Sequence, residues 1–387
     1  MTDRTFPTLN AVRAAGAIMV VLTHVAFNTG QVTQGWTGAI LARLDFGVTL
    51  FFILSGFLLS RPFYLARCRE QSLPSVRHYY WKRALRILPL YWVVVAVALL
   101  ADPANAGATP RRWAADLTLT QVYRLMVPSS SLTQMWSLCV EVAFYLVLPF
   151  LVAGFGRTFN LRRTLAWLSV LAVLGVAWQS WASTSADLQH HTNQWLFGFL
   201  PWFCIGLAFA AVSADHVARP RASRLDRLGS DLTGCWILAA AVFALACTPL
   251  AGPRTLLAPS PLEAGLKCVL YAVAGTFLVL PLVFGPEREG RVRQFLASPV
   301  PFVLGEISFG IFAIHMFVLV NGMRVMNIEV FTGEFTLVLL MVSTVTLALA
   351  AVSYYGFERR VLRLKNRGPF VPPGNQRSKA RDTAHAA

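Results

Sequence analysis

Long apolar stretches recur along most of the chain. Most of them contain about 18–22 residues, which at 1.5 Å per residue lets a helix cross a hydrocarbon core of about 30 Å. They are apolar throughout rather than alternating, which argues against a β-barrel. The ten predicted spans are Ala11–Asn28, Phe46–Ser60, Ile87–Ala101, Trp136–Phe155, Thr164–Ala182, Gln194–Ser213, Leu232–Leu250, Leu266–Gly285, Pro301–Gly322 and Phe335–Tyr355. Phe46–Ser60 and Ile87–Ala101 are short, and we expect them to extend or to lie partly in the interface. The pattern predicts an all-α integral membrane protein, a bundle of about ten transmembrane helices.

Composition agrees with a membrane protein, and the charge distribution predicts its orientation. Of 387 residues, 56% are hydrophobic and 13% charged, against about a quarter charged in soluble proteins. The net charge of +16 is compatible with nucleic-acid binding or with a cytoplasmic membrane face. If the N-terminus is cytoplasmic, the inside segments hold 26 of the 34 Lys and Arg residues and the outside loops hold six. This matches the positive-inside rule. We therefore expect both termini in the cytoplasm and no nucleic-acid partner.

The first predicted span contains two ionisable residues, Arg13 and His24. Eleven residues bring a helix back to nearly the same face, about 16 Å further along its axis. Ionisable groups inside a membrane are costly, so each is a candidate functional residue. Taken singly, Arg13 is better interpreted as reaching to lipid headgroups and His24 as a hydrogen-bonded core residue.

Two further titratable residues fall at a similar predicted depth. Counting 1.5 Å per residue, His24 and His315 both lie about 20 Å from the inner ends of their spans. Glu141 lies about 8 Å below the outer end of the fourth span, close to the same level. They could be three unrelated residues, but unpaired burial in hydrocarbon favours a shared polar site. A histidine with a carboxylate partner is suited to general base catalysis.

A basic cluster lies in the cytoplasmic segment at residues 78–89, which reads HYYWKRALRILP. Arg83 and Arg86 are three residues apart and share a helix face, and Lys82 lies beside them. Such a cluster suits a polyphosphate ligand arriving from the cytoplasm. Composition alone favours the alternative that these residues only anchor the protein at the membrane surface.

Six ordered motifs resemble those of the acyltransferase 3 family, multi-span membrane O-acyltransferases, and together they extend over residues 7–364. They are VRAAGAIMVVLTH, which contains the Arg-x₁₀-His pair; GVTLFFILSGFLLS at residues 47–60; WKRALRILPLYW; WSLCVEVAFYLVLP with Glu141; LGEISFGIFAIH ending at His315; and SYYGFERRVLR with Glu358. Val142 stands where the family often has a second acid, so that acidic pair is not essential here. Arg359 follows Glu358 where Glu-x-Pro is frequent. No hydrolase-like domain follows the last span, which indicates the stand-alone form.

The resemblance implies transfer of an acyl group, commonly acetyl, from cytoplasmic acyl-CoA to a sugar hydroxyl. The acceptor would be an envelope glycan, a glycolipid or a glycosylated secondary metabolite such as a macrolide, and the location the inner membrane of a bacterium. Arg83 and Arg86, with Lys82, would meet the phosphates of coenzyme A. Arg13 would guide the donor, and Ser55 would let the pantetheine arm pass. We expect no metal, and the oligomeric state stays open.

The resemblance also suggests catalytic roles. We expect His24 to deprotonate the acceptor hydroxyl, Glu141 to orient or charge-balance a histidine, and His315 to hold the oxyanion or the acceptor. A covalent Ser or Cys intermediate is less favoured, because no such residue lies beside His24 in sequence, although sequence distance does not exclude one.

Three further expectations concern the ends of the chain, the outer loops and the class of protein. Residues 1–365 would form the transmembrane domain, and residues 366–387 a disordered basic cytoplasmic tail. Asp45 and the pair His190-His191 fall on the outer side, as solvated loop residues or as acceptor contacts. A secondary transporter that couples protons through buried His and Glu is the alternative function, but no internal repeat supports it.

Overall fold

The computed structural model describes residues 6–124, 129–154, 159–184, 192–219 and 224–366, and all regular elements in these ranges are helical. The helices are α1 Thr8–Asn28, α2 Gly35–Arg43, α3 Phe46–Cys68, α4 Val76–Ala101, α5 Pro110–Leu117, α6 Met135–Gly154, α7 Leu161–Ala182, α8 Leu196–Ala218, α9 Arg224–Ser230, α10 Leu232–Ala246, α11 Pro261–Val283, α12 Gly290–Leu296, α13 Pro299–Val325, α14 Phe335–Ser353 and α15 Arg359–Arg363. A π-helical turn, Tyr354–Glu358, joins the last two.

The predicted bundle of membrane-spanning helices is confirmed. Within the described ranges, nine helices are long and apolar enough to cross a membrane, or ten if α9 and α10, which meet at an 85° bend, form one span. The seventh predicted span begins at Leu232 as expected but ends at Ala246 rather than Leu250. Its end is set by Pro249, which begins a short 3₁₀ turn whose first residues are capped by Thr248.

The two short predicted spans both extend, as expected. The span predicted to end at Ser60 continues to Cys68 in α3, and the span predicted to begin at Ile87 begins at Val76 in α4. The hydroxyl of Ser75 caps α4 by accepting the backbone N–H of His78. The basic cluster of residues 82–86 is therefore part of one continuous helix with the membrane span that follows it.

Small residues let α3 and α8 approach each other closely. A Cβ atom added at Gly56 would lie 2.4 Å from the carbonyl oxygen of Phe203, and one added at Gly206 would lie 2.1 Å from that of Ile53. Apolar helices gain little from hydrophobic association inside a bilayer, so close backbone packing of this kind contributes much of the stability.

The two ends of the bundle differ in charge. We call the end at which α1 and α4 begin and α3 ends the basic end, because Arg67, Arg69 and Arg77 lie there. It is the end predicted to face the cytoplasm. Apart from Asn366, the predicted tail 366–387 lies outside the described residues, as do His190 and His191.

The connection between α4 and α6 folds back into the bundle. The Tyr91 hydroxyl donates to the carbonyl of Asp116, and the Trp92 indole donates to that of Leu117 at 3.0 Å. Tyr91 lies ten residues, or about 15 Å, below the end of α4. At the other end of the connection, the Gln134 amide donates to the carbonyl of Ala313, near the middle of α13, at 3.0 Å. Helix α6 thus begins deep in the bundle, not at its surface.

We predict that Gly206→Ala destabilises the protein by about 1–3 kcal/mol, because its new Cβ atom would overlap the backbone of α3. Gly154→Ala, at the end of α6, is the matched control, since no atom of the described residues lies within 4 Å of a Cβ placed there. Thermal unfolding in one detergent would compare the two. Equal unfolding midpoints for both variants would contradict the close packing of α3 on α8.

Candidate active site

A cavity of about 100 Å³ lies between α1, α3, α4, α6 and α13. Its polar lining comes from residues far apart in sequence, namely Arg13, Ser55, Arg83, Arg86, Ser137, Glu141, Tyr145 and Ser308. Apolar side chains, mostly phenylalanine and leucine with Val48 and Ile87, form the rest of the wall. Four of the five residues predicted to bind the donor therefore line one cavity. The fifth, Lys82, is not among the side chains that line it.

Glu141 is held inside this cavity by two hydroxyl groups. Both Ser55 Oγ and Tyr145 OH donate to its Oε1, the second at 2.7 Å. Arg13 and Arg83 lie within electrostatic reach of the carboxylate. Tyr145 is not among the predicted site residues, although it follows Glu141 by four residues and so shares its helix face. The carboxylate offsets part of the positive charge that the arginines bring into the bundle.

The two arginines of α4 differ in their partners. Arg86 donates to the carbonyl of Glu306 at 3.2 Å, and it forms an ion pair with the buried Glu358 at 4.0 Å. In contrast, Arg83 Nε is buried and has no hydrogen-bond partner among the described residues. Arg83 thus has a donor available for an anion that enters the cavity.

His24 and His315 form a pair, as their common depth predicted. Nδ1 of His24 lies 2.8 Å from the carbonyl oxygen of Val20, and Nδ1 of His315 lies 2.7 Å from that of Phe312. Because a carbonyl only accepts, each Nδ1 carries the hydrogen. Nε2 of His315 lies 3.3 Å from Nδ1 of His24 and so can act only as an acceptor there. In the neutral imidazole of His24, Nε2 is then the unprotonated nitrogen, which is what a general base requires.

The prediction that Glu141 shares the depth of the two histidines is wrong. That estimate placed the start of α6 at the outer surface, whereas Gln134 already lies at the level of Ala313. Glu141 comes seven residues later, about 10 Å closer to the basic end. It therefore contacts Ser55 and Tyr145 rather than a histidine.

Phe312 connects the cavity with the histidine pair. Its side chain lines the cavity, its carbonyl accepts from His315, and its ring centroid lies 6.2 Å from that of His315. Neither histidine is among the side chains that line the cavity. Phe312 therefore contacts both the cavity and the histidine pair.

Comparisons with known proteins agree with the motifs. The sequence profile of the acyltransferase 3 family, described as an acyltransferase domain, matches residues 6–355. Acyltransferase MdmB of Streptomyces mycarofaciens is 27% identical over 351 residues, which are 84% of this chain and 81% of the relative. Nodulation protein 10 of Rhizobium leguminosarum bv. viciae is 30% identical over 189 residues, 42% of this chain and 48% of the relative. No solved structure matches the chain.

We predict that Glu141→Gln costs about 3 kcal/mol of stability, because the partly buried arginines near it would lose their compensating charge. Ser55→Ala should cost about 1 kcal/mol, since it removes one hydrogen bond and Tyr145 still donates. The exposed Glu329→Gln is the control and should be neutral. Thermal unfolding of the three variants is the measurement, and Glu141→Gln as stable as the control would contradict the charge-balancing role.

Proposed function

Since the chain belongs to the acyltransferase 3 family, we propose that this membrane acyltransferase transfers an acyl group, commonly acetyl, from acyl-CoA to a sugar hydroxyl. Family membership favours an enzyme over the transporter alternative. The acceptors considered are an envelope glycan, a glycolipid or a glycosylated secondary metabolite such as a macrolide. The proposed location is the inner membrane of a bacterium, with the basic end in the cytoplasm.

The observation that carries this proposal is the convergence of Arg13, Arg83 and Arg86 on one cavity near the basic end. Guanidinium groups are well suited to binding phosphates, and Nε of Arg83 has no hydrogen-bond partner in the part of the chain that the structure describes. A volume of about 100 Å³ is small beside the roughly 300–1,000 Å³ of typical ligand pockets. The cavity thus suits the narrow pantetheine arm, with the nucleotide of coenzyme A outside it at the basic end.

The reaction proceeds by direct transfer. Nε2 of His24 takes the proton of the acceptor hydroxyl, whose oxygen attacks the carbonyl carbon of the thioester. The new ester C–O bond forms, the C–S bond breaks, and the proton passes from His24 to the departing thiolate to give free coenzyme A. General base catalysis of this kind contributes about 10²–10⁴-fold in rate.

His315 acts as a positioning residue for His24. Its Nδ1 hydrogen is directed at backbone carbonyls and its Nε2 faces His24, so it has no N–H left to stabilise an oxyanion. It instead shares the Nδ1–H of His24 with the carbonyl of Val20, as the more distant acceptor at 3.3 Å, and so helps to fix the tautomer of the base. Glu141 belongs to the donor cavity, where it offsets the arginine charges and orients Ser55.

We predict that His24→Ala lowers kcat at least 10²-fold while the Kd for coenzyme A stays unchanged, because the imidazole acts only in the chemical step. For His315, Gln should retain more activity than Leu, since an amide oxygen can still accept from Nδ1–H of His24. The measurements are acyl transfer and coenzyme A titration in nanodiscs. Full activity of His24→Ala, or equal activity of the two His315 variants, would contradict these roles.

A second prediction separates donor binding from membrane anchoring. Arg83→Gln should raise the Kd for coenzyme A about tenfold, because a charge-assisted hydrogen bond to phosphate is worth roughly 1.5–3 kcal/mol. Arg77→Gln, an exposed arginine at the start of the same helix, should leave the Kd unchanged. Isothermal titration of coenzyme A measures both values. If these arginines only anchored the protein in the membrane, both variants would have the same affinity for coenzyme A, and this result would contradict donor binding by Arg83.

A further inference from the structure

A second, larger cavity lies between the level of His24 and His315 and the end of the bundle opposite the basic end. Its volume is about 390 Å³, within the range of typical small-molecule sites. Helices α2, α3, α6, α7, α8 and α11 contribute its walls. We call it the outer cavity, and the arginine-lined cavity the donor cavity.

The outer cavity and the donor cavity share a wall. Val48 of α3 lines both of them. In the first turn of α6, Trp136 lines the outer cavity whereas the next two residues, Ser137 and Leu138, line the donor cavity. The two cavities are thus adjacent at Val48 and at the first turn of α6.

This shared wall lies at the depth of the histidine pair. On α6, Gln134 binds the carbonyl of Ala313, two residues before His315. On α3, a Cβ atom added at Gly47 would lie 3.1 Å from the side chain of Val20, whose carbonyl accepts from His24. Substrates that enter the two cavities from opposite ends would therefore meet at the level of His24.

The lining of the outer cavity combines aromatic faces with neutral polar groups. Trp136, Phe199 and Trp202 are neighbours, with ring centroids 5.2 Å apart for the first two and 5.3 Å for the last two. The lining also includes Gln179, Ser183, Asn193 and Gln194. The Gln179 amide donates to the carbonyl of Asn193 at 3.2 Å, which fixes its orientation. Aromatic faces pack against the C–H faces of a sugar ring, and amides and hydroxyls bind its hydroxyl groups.

The charged side chains of the outer cavity already have partners within the protein. The carboxylate of Asp45 accepts from Lys267 Nζ at 2.5 Å and from the Tyr271 hydroxyl. The guanidinium of Arg43 is buried and donates to the carbonyls of Ala246 and Gly252. Among the described residues, the charged side chains that line the outer cavity offer a charged ligand no counter-charge that is not already paired. The groups left to contact a ligand are mostly neutral.

We propose that the outer cavity is the acceptor site and that the part of the acceptor bound there is a neutral sugar ring, without carboxylate, phosphate or amine. This inference rests on the proposed acyltransferase function and identifies where the second substrate, the acceptor, binds. Asp45, Lys267, Tyr271 and Arg43 shape the site, while Trp136 and Gln179 bind the ring.

The outer cavity also leaves room for an acceptor larger than one ring. Thr255, Leu256 and Leu257 line both the outer cavity and a neighbouring pocket of about 670 Å³. Beyond this loop, the pocket is lined by the segment after α1 and by Phe331–Gly333. The rest of a glycan or a glycosylated molecule can extend there while one ring stays near Trp136.

The test uses the full-length protein in nanodiscs and saturation-transfer NMR with a defined panel of sugars. The neutral members are the methyl glycosides of glucose, galactose and mannose, and the charged members are methyl glucuronide and methyl glucosaminide. The variants are Trp136→Leu and Gln179→Ala. Trp167→Leu, an exposed tryptophan on α7, is the matched control. Titration of coenzyme A on each protein reports folding and donor binding independently.

We expect a neutral glycoside to give the strongest signal with the wild type, and Trp136→Leu and Gln179→Ala to reduce it at least fivefold. Both variants and the control should keep the wild-type affinity for coenzyme A. No signal from the neutral glycosides, a preference for the charged ones, or an undiminished signal in both variants would each overturn the acceptor site. If the wild-type protein does not bind coenzyme A, this result would instead overturn the proposed function.

Discussion

The structure depends on one constraint, which is that every charged or polar side chain buried in a membrane bundle needs a partner. Arg13 and Arg83 bring positive charge inside the bundle, and Glu141 supplies a compensating carboxylate at the same depth. That carboxylate is itself held by Ser55 and Tyr145. Meeting this requirement brings α1, α3, α4 and α6 together. The charges that would destabilise isolated helices thus define where the donor cavity forms.

Because of the same requirement, the two ends of the bundle differ in the charge of the ligand that they suit. Near the basic end, Arg83 keeps a donor that no described residue uses, which suits an anion. Towards the other end, Asp45 and Arg43 are satisfied by the protein itself, which suits a neutral ligand. The histidine pair lies between these two ends. Phe312 is its contact with the donor cavity, and Val48 belongs to the wall that both cavities share.

The sequence was sufficient for the class of fold and for much of the site. Hydrophobic runs located the spans, and helical spacing placed Arg83 and Arg86 on one face, where both line the cavity. The pairing of His24 with His315 followed from counting residues along two helices that each cross the bundle fully. Helical spacing from Glu141 would also have identified Tyr145.

The depth of Glu141 could not be predicted by the same count. Hydropathy shows where an apolar run begins in the chain, but not how deep in the membrane it begins. The connection after α4 folds back until Gln134 reaches the middle of α13, and only tertiary hydrogen bonds reveal this. The outer cavity was hidden for a related reason. Its lining residues come from six helices and intervening loops, and no motif links Trp136 to Gln179.

The most direct test of the account is a sidedness assay in sealed proteoliposomes of defined orientation. Labelled acetyl-CoA is supplied at the basic end, and a neutral glycan extract is enclosed on either the same or the opposite side. We expect labelled acetyl ester to form when the donor and the glycan are on opposite sides of the membrane. The His24→Ala variant should form no ester in the same assay. Ester formation only when both are on the same side would contradict entry of donor and acceptor from opposite ends.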